Sequence, residues 1–172
     1  MPREKLTMPA VTEIARNVLL KQGNHVPTVI AEGSNDTIPV QIDRLADTHE
    51  GKLRQLFAIG SMLGESGQVG ILHQIFMISE VWMSRNDKQL SPHEQVNPSD
   101  DPQRIEALMI SRTQLEPFAK ELLILEMIRN AEHQLTELKT LIHMVEDGIQ
   151  KVESPLIESL IGGYITGLMN IK

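Results

Sequence analysis

Cysteine is absent from the 172 residues. That excludes disulfides, thiolate catalysis and cysteine-ligated zinc or iron–sulfur sites, and it suits a reducing compartment. Aromatic residues make up only 3%, with one Trp, one Tyr and three Phe. The core must therefore be built from Leu, Ile, Val and Met, and nine methionines supply adaptable filler. Positive charge is also short. Sixteen Lys and Arg face 23 Asp and Glu, a net charge of −7, with no long basic cluster. A general nucleic-acid binder is excluded, because phosphate contacts need a basic face. No apolar run approaches the roughly 18 residues that a membrane span requires. The opening "MPREKLTMPAVTEIARNVLLKQG" has no continuous apolar core, so it makes a poor signal peptide. The expectation is a cytoplasmic, acidic protein with no membrane contact.

Catalytic and cofactor patterns are missing as well. There is no G-x-S-x-G. The histidines at 25, 49, 73, 93, 133 and 143 form no H-x-H, H-x-x-x-H or H-E-x-x-H pattern. Gly60, Gly64, Gly67 and Gly70 fit neither a dinucleotide nor a phosphate-loop spacing, and they follow a helix instead of opening one. They read as a helix ending and a tight turn. No cofactor is expected.

What is present reads as one domain, 1–172, of mixed α+β class. The expected order is α-β-β-α-β-β-β-β, forming a mostly antiparallel twisted sheet with helices on one face. Val11, Ile14, Ala15, Val18 and Leu19 recur at helical spacing between Thr7, a fitting N-cap, and Gly23, a natural stop. "HVPTVIAEG" and "TIPVQID" flank turn residues and read as a hairpin, with Pro27 and Pro39 suited to strand ends or edges. Leu53, Leu56, Phe57, Gly60 and Leu63 mark a second helix. "VGILHQIFMISEVWMSR" is β-branched, aromatic and free of proline, hence a long strand. "NDKQLSPHEQVNPSDDPQ" is a loop, and "RIEALMISR" resumes as a strand. The stretch 118–146 stays open. Ile128, Ala131, Leu135, Leu138, Ile142 and Val145 step by three and four as a helix would, yet "ELLILEMIR", "NAEH" and "QLTELKTL" also compose a hairpin. The tail "ESPLIESLIGGYITGLMNIK" is apolar. Its Gly163–Gly167 spacing matches the G-x-x-x-G helix-pairing pattern, but Pro155 and Glu158 favour a docked terminal element.

One carboxylate stands out. In a strand, Phe76, Ile78, Glu80 and Trp82 share a face. Glu80 therefore sits beside the two large aromatics, where an unpaired charge is costly. If the next strand pairs antiparallel across the 86–103 loop, Arg104 and Glu106 come close. Two readings follow. Glu80 forms a charge pair with Arg104 that fixes strand register. Otherwise Glu80 is a base or ligand with Asp101, Glu106 and His73 nearby, although His73 falls on the opposite face. The candidate cluster is thus Glu80, Trp82, Asp101, Arg104 and Glu106, with no metal assigned.

"SEVW" at 79–82 followed by "PSDDPQRIEAL" at 98–108 resembles a group of small uncharacterised prokaryotic proteins. These carry a Ser-Glu-Ala-Trp-like strand and then Pro-Ser-x-Asp-Pro-x-Arg-x-Glu. The matching positions are Ser79, Glu80, Trp82, Pro98, Ser99, Asp101, Pro102, Arg104 and Glu106, with Val81 in place of the small residue. The resemblance covers about 70–110 and implies no activity. It implies a meander after the loop, and so the hairpin reading of 119–140.

Two functional classes remain. One is a non-catalytic binding or assembly protein, a homo-oligomer or a component of a larger particle, with a protein partner and no nucleic acid. The apolar tail supports it, because exposed apolar patches mark contacts. The alternative is a small metal-dependent or acid/base hydrolase using Glu80, Asp101 and Glu106.

Overall fold

The computed structural model describes residues 4–84, 102–146 and 151–171. The elements run α1 (Met8–Gln22), β1 (Thr28–Gly33), β2 (Thr37–Gln41), α2 (His49–Ser66), β3 (Leu72–Met83), β4 (Ile105–Leu115), β5 (Phe118–Arg129), β6 (Leu135–Val145) and α3 (Pro155–Met169). The six strands form one sheet of order β2-β1-β3-β4-β5-β6, and every neighbouring pair is antiparallel. The expected α+β class and order of elements along the chain are present, closed by a terminal helix.

The helices do not share one face, and this corrects the expectation. α1 lays Met8, Val11, Ala15 and Leu19 on Ile30, Phe76, Ile78, Leu108 and Ile110. α2 and α3 bury Leu56, Leu63, Ile157, Leu160 and Tyr164 against Val29, Ala31, Ile75 and Met77 on the other side. Alternation along β1 and β3 explains the division. Both strands are apolar on both faces, so each face needs its own cover. The continuous apolar run of β3 follows from its place near the middle of the sheet.

α1 starts where the Thr7 hydroxyl accepts the Ala10 N–H at 3.3 Å. It stops at Gly23, whose φ of 77° suits a left-handed cap. Thr48 likewise caps α2 through the Gly51 N–H. α2 and α3 pack parallel, with their glycines meeting the opposite backbone. A Cβ on Gly60 would lie 2.0 Å from the Leu160 carbonyl oxygen, and one on Gly163 would lie 2.0 Å from that of Phe57. Gly64 and Gly167 make equally close approaches to Tyr164 and Ser61. The G-x-x-x-G spacing of the tail thus serves a contact within the chain, and Gly60 and Gly64 are interior packing residues of α2 instead of turn residues.

Residues 118–146 form the β5–β6 hairpin. The Asn130 side chain accepts the N–H groups of Glu132 at 3.1 Å and Gln134 at 2.9 Å, and this builds the turn. The helix-like spacing of β6 comes from bulges. The register shifts between Ile124 and Leu125 and again between Ile128 and Arg129. An extra residue at each shift resets the two-residue period. Leu135 and Leu138, three apart, therefore both pack on the α1-side core.

Candidate functional site

Glu80, Trp82, Arg104 and Glu106 gather at one end of the α1 face, beside the C-terminus of α1. β3 and β4 pair Glu80 with Leu108 and Trp82 with Glu106, so all of these even-numbered residues point to the same side. Asp101 and the 86–101 part of the loop lie outside the described residues. His73 falls on the opposite face of β3, as its odd position requires.

The expected Glu80–Arg104 pair is replaced by different partners. Glu80 Oε1 accepts the backbone N–H of His25, three residues beyond the end of α1. The Arg104 guanidinium lies over the Trp82 ring, 4.3 Å from its centroid. The cation that organises the cluster is Arg129, at the end of β5. Its Nε donates to Glu106 Oε2 at 2.8 Å and its Nη2 to Oε1 at 2.8 Å, a two-point fork. Nη2 also donates to the Gly23 carbonyl at 2.9 Å, and Nη1 to that of His133 at 3.2 Å. The hydrogen bonds to Glu106 hold the Arg129 guanidinium above its usual range against the opposing effect of burial, and the charges of Glu106 and Glu80 add to this.

The chemistry of this arrangement is a clasp. A helix C-terminus leaves carbonyls without partners, and the turn that follows leaves N–H groups. Arg129 takes one such carbonyl and Glu80 one such N–H. Glu106 neutralises Arg129 and orients it. Both carboxylate oxygens of Glu106 and one oxygen of Glu80 are thus engaged in holding backbone and guanidinium groups in place.

The other end of α1 is tied down in the same way. Glu32 accepts the Leu6 N–H at 3.1 Å through Oε1, and Gln74 Nε2 donates to the Leu6 carbonyl at 2.9 Å. Gln74 also donates to Glu32 and accepts from Arg112 Nε at 2.8 Å. Arg112 reaches Glu121 at 3.4 Å, and Glu121 in turn lies 2.7 Å from His143 Nε2. This polar row crosses five strands. Gln74 was legible as a polar residue in phase with Phe76 and Ile78. Glu32 and Arg129 carried no such signal, since their partners lie 42 and 23 residues away.

Among the described residues, no group of three His, Asp or Glu side chains could hold a metal ion. No described helix is long and apolar enough to cross a membrane. Trp82 remains 49% exposed although it is the largest side chain in the cluster. No known family model, curated protein or solved structure matches this chain.

Proposed function

We propose that the protein is a non-catalytic binding or assembly protein that self-associates through the outer side of α3. The carrying observation is an apolar depression of about 560 Å³ between α3 and the start of β3. Ile71, Leu115, Ile161, Ile165 and Leu168 line it. α3 has one charged residue, Glu158, in fifteen, so it is apolar nearly all round. Its inner stripe is spent on α2 and the sheet, and the rest stays outside. Ile71 and Met169 are each 73% exposed. An exposed patch of this kind usually marks a contact.

A second copy of the chain is the occupant that the shape favours. Leu168 lines the depression, and Met169 and Ile171, which follow it in the chain, are both exposed. A two-fold axis would place each projecting end in the other copy's hollow, as an isologous interface requires. The hydrogen bonds that Glu80 and Glu106 make to the turn after α1 and to Arg129 give both acids a structural use without any reaction.

Light scattering during size-exclusion chromatography tests the proposal. The wild type should elute as a dimer or larger at micromolar concentration, and Ile165→Glu should elute as a monomer with unchanged far-UV circular dichroism. Deleting 155–172 would be uninformative, because α3 is part of the core. A wild-type monomer, or an oligomer indifferent to Ile165→Glu, overturns the assignment.

A further inference from the structure

On the α1 side of the sheet a groove runs between α1 and the β1–β2 edge, enclosing about 400 Å³. That volume falls within the range of small-molecule sites. Strand register sets its long axis. Thr28 faces Gln41, and one rung further Ile30 faces Pro39. Gln22 and His25 join Thr28 and Gln41 at one end. Ile14 and Val18 join Ile30 and Pro39 toward the other. The groove therefore has a polar end and an apolar end, and no Asp, Glu, Lys or Arg lines it.

His25 is the distinctive group at the polar end. It is only 7% exposed. Its Nδ1 lies 2.8 Å from the Val26 carbonyl oxygen, which also accepts the Thr28 hydroxyl at 2.8 Å. A carbonyl can only accept, so Nδ1 carries the proton, and Nε2 of the neutral ring is left as an acceptor. Among the described residues Nε2 has no hydrogen-bond partner. Nε2 is not one of the fully buried atoms left without a partner, so it stays open to whatever fills the groove. The backbone N–H of the same residue is held by Glu80.

We propose that this groove binds a small neutral amphipathic molecule. Its aliphatic body lies among Ile14, Val18, Ile30 and Pro39, and its hydroxyl donates to His25 Nε2. The absence of charged lining residues selects against a charged head, which would be desolvated without a partner. The amides of Gln22 and Gln41 offer donors to the hydroxyl's remaining lone pairs. Glu80 acts here as a positioning residue, holding the backbone that presents the imidazole. The groove and the outer side of α3 lie on opposite faces of the sheet, so this site stands independently of self-association.

Two isomers test the proposal, 1-heptanol and hexyl methyl ether. They match in size, but only the alcohol can donate a hydrogen bond. NMR titration of the full chain should show 1-heptanol shifting the His25 ring nitrogen signals and the Val18, Thr28 and Gln41 amides. The alcohol should bind at least about fivefold tighter than the ether, the worth of roughly one hydrogen bond. His25→Phe should equalise the two. Val18→Phe, which fills the groove without touching His25, should abolish both. Glu80→Gln, which can still accept the His25 N–H, should preserve the preference for the alcohol, and Glu80→Leu should lose it. Equal affinity of the isomers for the wild type, absence of shifts at saturating 1-heptanol, or shifts confined to residues around Ile71 and Ile165 would each overturn the site.

Discussion

Arg129→Ala is the change that most sharply tests the clasp at the end of α1. The Arg129 side chain is 19% exposed and that of Glu106 is 22% exposed. Removing the guanidinium takes away both arms of the fork and leaves the carbonyls of Gly23 and His133 without that donor. It also strands the Glu106 charge. Breaking one partner of a fully buried pair costs about 3–5 kcal/mol. Residual exposure lets water reach Glu106, so the expected loss is about 2–4 kcal/mol. Urea melts followed by far-UV circular dichroism give the value, with the two Glu partners completing double-mutant cycles. Glu106 and Arg129 should couple by about 1–3 kcal/mol, and Glu80 and Arg104 by nearly nothing. A loss below about 1 kcal/mol for Arg129→Ala, or strong Glu80–Arg104 coupling, would refute the reasoning.

Two further outcomes follow from the packing of α3. Tyr164, the sole tyrosine, is buried, and desolvation raises its phenol pKa above the usual 10.0. The neutral form is thus favoured by folding, and that stability is fully present below pH 10. It is lost as pH rises through the raised native value. Phenolate absorbance should therefore rise above pH 10 together with loss of circular dichroism, and a midpoint at 10 with the native spectrum intact would contradict this. Gly163→Ala puts a Cβ 2.0 Å from the Phe57 carbonyl and should destabilise by about 2–4 kcal/mol. Gly162→Ala meets only the Phe57 ring at 3.8 Å and should be neutral or stabilising by up to about 1 kcal/mol, from better helix propensity. Equal effects on thermal unfolding would count against parallel, glycine-mediated packing.

The sequence by itself determined the first helix, the second helix and the long strand β3. Thr7 and Gly23 bounded α1, the stripe from Leu53 to Leu63 marked α2, and unbroken β-branched and aromatic residues made β3 a strand. These are interactions within a turn or two of helix, or alternation along one strand, and they need no partner to be read. Face-sharing of Phe76, Ile78, Glu80 and Trp82 belongs to the same class, because it follows from the pleat alone. Tertiary structure decided the rest. Whether helices cover one face or two depends on where α1 crosses the sheet, and a strand apolar on both sides is compatible with cover from any element. The bulges in β6 disguised a strand as a helix, since each added residue turns a period of two into a step of three. The partner of Glu80 was out of reach for a related reason. Arg104 was near in chain order, but hydrogen-bonding geometry rewards proximity in space. The N–H that Glu80 accepts belongs to His25, 55 residues away, and the cation beside it comes from the far end of β5. A chain shows which groups need satisfying; only the folded arrangement of strands decides which ones meet.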